Sequence, residues 1–329
     1  MESGSLVIAF SITIGCSAIL GNGLVIFVMT VRREQFSSFT NRLIRHQSII
    51  DFVSGLVFLL ITGIKQSSLL TTLQANIFGE IICRFLESEY FVWAVNVTST
   101  YNLVVISLER FLATCYPVKH RNYCSLFKIK VSMCAAWIIG FVYALIFLFL
   151  HHVIKGTCRY NRTNGKIFEV FVFCWTFLIE YILPAFLISF SYVRILLVLR
   201  HKLDNANANQ QDGVFSKAKR NVITTMLIAG CMFFICWTPM QMLRLILSTD
   251  IVDVFSVRGI SDAFTGLVMC NMSVNPVVYC FKYQHFRTQL KQLVRSRFGQ
   301  NRVRPGEESN DAPSLSVDPM QNTATTQML

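Results

Sequence analysis

Seven long apolar runs constrain this chain more than any other feature of it, each about long enough to cross a ~30 Å hydrocarbon core as a helix. They fall at Ser5–Val31, Leu43–Gln66, Cys83–Cys115, Lys128–Leu150, Glu169–Leu199, Val222–Leu247 and Val257–Phe281. In hydrocarbon every backbone N–H and C=O must find a partner inside the protein, so such runs fold as helices. Composition agrees where it discriminates. Charged residues make up 15% of the chain and hydrophobic ones 53%, whereas an ordinary soluble chain is roughly one-quarter charged. The expected fold class is an all-α membrane protein, a seven-transmembrane helix bundle.

The net charge of +12 sits in short basic clusters between the runs, which fits the positive-inside pattern rather than a nucleic-acid surface. Arg32, Arg33, Arg42 and Arg45 fill the first inner loop; Lys119, Arg121, Lys128 and Lys130 fill the second. Arg200, Lys202, Lys217, Lys219 and Arg220 fill the third, and Lys282, Arg287, Lys291, Arg295 and Arg297 follow the last run. This pattern predicts an extracellular N-terminus (1–4), a bundle (5–281) and a cytoplasmic C-terminus. After the bundle, Phe286, Leu290, Leu293, Val294 and Phe298 recur at helical spacing among basic residues. The segment 282–298 is therefore expected to lie as an amphipathic eighth helix on the anionic inner leaflet, a contact with membrane lipid. The polar, proline-containing 299–329 reads as a disordered tail.

Of eleven cysteines, most lie within the apolar runs, where cysteine behaves as a small hydrophobe. Cys83 and Cys158 fall in segments predicted to face the oxidising exterior and are the disulfide candidates. The third run ends in Glu109-Arg110-Phe111, with Pro117 one loop later. Charge at that place reaches water or a protein partner. Polar residues inside the runs are costly unless they face a partner or a wet cavity. Asn22, Asp51, Ser99, Asn271 and Asn275 lie at similar depth in four runs. A single such Asn commonly packs helices together; a set around one carboxylate indicates an internal polar site. At the outer ends stand Lys65, Glu87, Glu89, Glu180, Gln241 and Arg244, a vestibule of mixed sign. Asn161-Arg162-Thr163 is a glycosylation sequon in an outer loop.

In combination these motifs resemble the rhodopsin-like (class A) G-protein-coupled receptors. The likeness rests on GN in the first run, Asp51 in the second, C…SLERF…P in the third and a Trp in the fourth. It continues with Pro184 and Tyr192 in the fifth, Phe233…CWTP in the sixth and NPVVY in the seventh. It spans about Ser5–Phe298. The resemblance implies a plasma-membrane receptor that performs no covalent chemistry and activates a heterotrimeric G protein, with arrestin and receptor kinases as further partners. It assigns Asp51, Ser99, Asn271 and Asn275 to an allosteric sodium pocket and Trp237 to the aromatic switch above it. Thr100, Pro184 and Phe233 match the repacking triad, with Thr100 where a bulky aliphatic is usual. Pro239 and Pro276 lack the N–H that would close the helix ladder and serve as hinges. Arg110, held by Glu109, would make the main G-protein contact, with Pro117, Tyr192 and Tyr279 nearby. Cys83 and Cys158 match the family's disulfide.

Two departures stand out. At the base of the sixth run, where many relatives carry an acid that locks the arginine, this chain has Lys219, which predicts a weakened resting lock. In the third run, counting back from Arg110 puts Val92 at the ligand-facing position, whereas counting forward from Cys83 puts Tyr90 there. Neither is an acid, although Glu89 is close, so an amine ligand stays open beside a peptide or other polar one. Ligand contacts are expected from Lys65, Glu89, Val92, Trp93, Glu180, Trp237, Gln241 and Arg244. A transporter would need a continuous polar path and usually an internal repeat. An intramembrane enzyme would need a paired Asp, Ser/His or His-rich set, and the runs show neither pattern.

Overall fold

The computed structural model describes residues 2–67, 76–160, 165–206, 213–248 and 258–298. Asn161 and the tail 299–329 lie outside these residues; Lys219 lies on a described helix, but its side chain falls outside the description. The helices, in chain order, are α1 (Glu2–Val31), α2 (Phe39–Gln66), α3 (Ile77–Ile82), α4 (Tyr90–Cys115), α5 (Pro117–Tyr123), α6 (Leu126–Leu150), α7 (Lys166–Phe177), α8 (Leu183–Ala206), α9 (Gly213–Leu247), α10 (Arg258–Lys282) and α11 (Gln284–Phe298). Two wider π-turns interrupt them, Cys83–Glu87 before α4 and Leu178–Ile182 between α7 and α8. A short antiparallel hairpin, β1 (His151–Ile154) and β2 (Thr157–Tyr160), follows α6. Seven segments are long and apolar enough to span a membrane, including the composite Ile77–Cys115 and Lys166–His201. The fold is an all-α seven-helix bundle with α11 as its eighth helix.

α2 and α6 begin where a serine side chain satisfies a free N–H group. Ser38 caps α2 by accepting from the Asn41 N–H, and Ser125 caps α6 by accepting from the Lys128 N–H. Pro117, at the first position of α5, has no N–H to leave unpaired. Most helices overrun the apolar runs by residues too polar to count as lipid-facing: α2 starts at Phe39 rather than Leu43, and α9 at Gly213 rather than Val222.

α4 is the buried axis: its span is 83% buried, against 28% for the fourth and fifth spans. Its closest neighbour is α6, and Gly140 is the reason. A Cβ there would overlap the Thr98 hydroxyl and the Ala94 carbonyl, so only glycine lets the two backbones approach so nearly. α1 is pinned to α10 by Asn22, whose amide donates to Ala18 O at 2.9 Å and Met272 O at 2.8 Å. Asn22 thus packs helices and does not join the carboxylate of Asp51. At the inner end, Phe286 of α11 is fully buried and meets the Phe36 ring at 6.5 Å.

The third run is not one continuous helix, and the break accounts for its anomalous spacing. Cys83–Glu87 form a π-turn, which takes up one residue more than an α-turn. Ser88 then turns, and Glu89 adopts a left-handed backbone conformation, φ 59° and ψ 28°. The two-residue disagreement between counts from Cys83 and from Arg110 is absorbed there.

Candidate functional site

The outer surface is tied together first. Cys83 and Cys158 form a disulfide with a Cα–Cα distance of 5.4 Å, joining the π-turn to β2. Glu80 and Arg84 reinforce it: Glu80 pairs with Arg84 at 3.1 Å and accepts from the Val153 N–H, while Arg84 meets His152 Nδ1 at 2.7 Å. Lys65 of α2 pairs with Glu89 at 2.7 Å, and Glu87 lies 4.0 Å away. Both acids at the outer end of the third run therefore converge on one lysine, and Glu89 makes the contact.

Below this cap lies a second, drier cluster. Glu180 sits in the π-turn Leu178–Ile182 and is fully buried. Its Oε2 accepts from Gln241 Nε2 at 2.9 Å and from Arg244 Nη1 at 2.5 Å, and the Tyr143 hydroxyl donates to Oε1. The Arg244 guanidinium also stacks over Trp93, 5.2 Å from the ring centroid, a favourable arrangement for a planar cation. A buried carboxylate survives only with such a complete set of donors. Four of the expected ligand residues, Glu180, Gln241, Arg244 and Trp93, are therefore brought into one site built from α4, α6, α9 and the π-turn Leu178–Ile182. Lys65 and Glu89 form a separate pair above it. Val92 is buried against the bundle, and Trp237 lies deeper, fully buried. Tyr143 was not foreseen: a tyrosine inside an apolar aromatic run carries no mark of its hydroxyl's partner.

Trp237 meets Phe233 at 5.9 Å, and Phe233 stacks on Tyr181 at 6.2 Å. Pro184 and Thr100 are buried as well. The Thr100 hydroxyl and the Trp237 indole N–H have no hydrogen-bond partner among the described residues. Pro239 and Pro276 each stand inside their helices, α9 and α10.

At mid-depth, Asp51 is fully buried. Ser99 donates to its Oδ1 at 2.6 Å and Asn275 to its Oδ2 at 2.7 Å. Asn271, buried one turn away, is not among its partners. Gln47 takes that place, its amide nitrogen lying 3.1 and 3.2 Å from the two carboxylate oxygens and 2.6 Å from Ser99 Oγ. Carboxylate, hydroxyl and amide oxygens are the right kinds of ligand for a hard cation. Here, however, three protein donors already direct hydrogens at the carboxylate, so the set as arranged does not fit sodium.

At the inner end, Arg110 grips Glu109 with two hydrogen bonds, Nε to Oε2 at 2.6 Å and Nη2 to Oε1 at 2.7 Å. Such bidentate pairing is the strongest form of this contact. Thr40 of α2 adds a third bond at 2.9 Å and His120 of α5 a fourth at 3.0 Å, neither foreseen from the sequence. The Tyr192 hydroxyl donates to Met226 O at 2.7 Å, joining α8 to α9. Tyr279 is buried beside Tyr283, whose hydroxyl donates to Asn41 at 2.6 Å. Pro117 opens α5 and so sets the direction in which His120 returns to Glu109.

Comparison with known proteins now places the chain. Residues 21–279 match the 7 transmembrane receptor (rhodopsin family) model. The chain belongs to that family: it is a seven-transmembrane receptor, not an enzyme, and a multi-pass protein of the plasma membrane. Among its relatives, galanin receptor 2b of Danio rerio is 26% identical over 309 residues, covering 90% of this chain and 77% of its own. Trace amine-associated receptor 1 of Mus musculus is 23% identical over 298 residues, 86% of this chain and 87% of the relative. The substance-P receptor of Aquarana catesbeiana is 26% identical over 229 residues, 66% of this chain and 54% of the relative.

Proposed function

We propose that this receptor binds an extracellular peptide, or another polar ligand bearing an anionic group, and activates a heterotrimeric G protein through the face around Arg110. The observation that carries the ligand class is the Glu180–Arg244–Gln241–Tyr143 cluster beneath a mixed-sign cap. An anionic ligand group has a partner to win there, because Arg244 is 21% exposed while Glu180 is closed off. Only a ligand that favours the active arrangement shifts the equilibrium, and release of Arg244 from Glu180 in the π-turn is a step such a ligand can drive.

An amine ligand is the second reading, supported by the trace amine-associated relatives. Against it, Val92 offers no carboxylate, Glu180 is matched by Arg244, and Glu89 is matched by Lys65. On the inner side, the Glu109–Arg110 pair is the resting contact that G-protein binding would open, and Lys219 leaves it without a second acid. Inner-leaflet lipids under α11, arrestin and receptor kinases acting on the tail complete the partners of this reading, with the N-terminus outside.

The test is ligand-stimulated nucleotide exchange in membranes expressing the chain with a promiscuous G protein, screened with peptide and amine libraries. A peptide agonist whose potency drops at least tenfold in Arg244→Ala, with surface expression maintained, is the expected outcome. An amine agonist indifferent to that substitution would overturn the ligand class. Solute flux in vesicles lacking G protein, without any exchange activity, would overturn the receptor mechanism.

A further inference from the structure

Gln47 is the amide at the end of a hydrogen-bonded chain that crosses three spans. The indole N–H of Trp137 in α6 donates to His46 Nε2 at 3.1 Å. Accepting at Nε2, His46 carries its proton on Nδ1, which faces Asn102 Oδ1 at 2.8 Å. Asn102 must therefore turn its amide nitrogen to Gln47 Oε1, at 2.7 Å. Gln47 in turn must present its own amide nitrogen to Asp51 and Ser99.

The order of donors and acceptors is fixed at both ends. Trp137 has only a hydrogen to give, and an ionised Asp51 has only lone pairs to offer. Flipping any one amide would set two donors or two acceptors face to face and orphan its neighbours. Gln47, Asn102 and Asp51 are all buried, where a polar group facing the wrong partner is costly.

We infer that the Gln47 amide is a built-in substitute for the sodium ion at Asp51, making this a receptor whose resting state does not depend on sodium. A cation at Asp51 needs oxygen ligands, and the chain anchored at Trp137 holds a hydrogen-bearing nitrogen across both carboxylate oxygens. The same chain gives the fourth span a polar connection to Asn275 of α10, through α2 and α4. None of this depends on the ligand class proposed above.

The experiment uses the full-length receptor purified in detergent, with thermal unfolding followed by tryptophan fluorescence as NaCl replaces choline chloride at constant ionic strength. The wild-type midpoint is expected to stay level across the series. Gln47→Met keeps the side-chain volume and removes the donor; its midpoint should rise with sodium by roughly 2–5 °C. That rise should vanish in the double variant Gln47→Met, Asp51→Asn.

A saturable, sodium-specific rise in the wild type that Asp51→Asn abolishes would overturn the inference, and this arm stands even if the Gln47 variant fails to fold. A folded Gln47→Met protein as indifferent to sodium as the wild type would also overturn it, since the amide would then not be what excludes the ion.

Discussion

Glu180→Gln keeps the shape of the side chain and removes the charge that Arg244 faces. Glu180 is wholly inaccessible, and 21% of the Arg244 side chain reaches solvent. Leaving one member of such a pair buried without its partner costs about 3–5 kcal/mol, and the partial exposure of Arg244 puts this case toward the lower end. At roughly 2–4 °C per kcal/mol, the apparent midpoint of thermal unfolding should fall by about 6–12 °C. Arg244→Met, which strands the carboxylate with only Tyr143 and Gln241 as donors, should cost a comparable amount. The double variant strands neither charge, so it should be less destabilised than the sum of the singles by about 2 kcal/mol. The assay is a double-mutant cycle on the detergent-solubilised receptor, with equal extraction of all four proteins checked first. Additivity to within about 0.5 kcal/mol would refute the reasoning, because the two side chains would then not act as a pair.

Two further outcomes follow from the geometry. Removing the added holds on Glu109, by His120→Ala or Thr40→Val, should raise ligand-free nucleotide exchange about two- to fivefold at equal surface expression, as a net bond strength near 1 kcal/mol implies; Lys219→Glu should lower it. Gly140→Leu should abolish surface expression, whereas Gly140→Ala should leave a reduced, thermally labile population, since overpacking costs about 1–3 kcal/mol; immunostaining of intact cells measures both.

The spans were legible because a lipid-exposed helix has to announce itself over some twenty residues. The Glu109–Arg110 pair was legible because two charges at the end of an apolar run have no bland place to go. The π-turns were not. One extra residue in a helix leaves composition and periodicity nearly unchanged, yet it decides that Glu180 turns into the bundle. The counting discrepancy between Cys83 and Arg110 was the only outward sign of the first of them. Gln47 could have been found: it stands four residues before Asp51, on the same face of one helix. His46 and Asn102 are likewise polar residues within apolar spans. Tyr143 and Thr40 could not, since a hydroxyl amid aromatic or loop residues does not say which acid it will meet.

The left-handed break at Glu89 has a mechanical consequence. Outward of it, the stub Ile77–Glu87 is fastened to the hairpin by the disulfide and by Arg84. Inward of it, α4 runs unbroken from Tyr90 to Cys115, with Arg110 five residues from its end. Where they meet, Ser88 N–H reaches back to Cys83 O, Glu89 N–H to Leu86 O and Trp93 N–H to Glu89 O, while Tyr90 N–H turns to the Ser88 hydroxyl. The cap is held by the hairpin and the shaft by its close packing against α6 at Gly140, so the two halves of the third span are fixed by different partners.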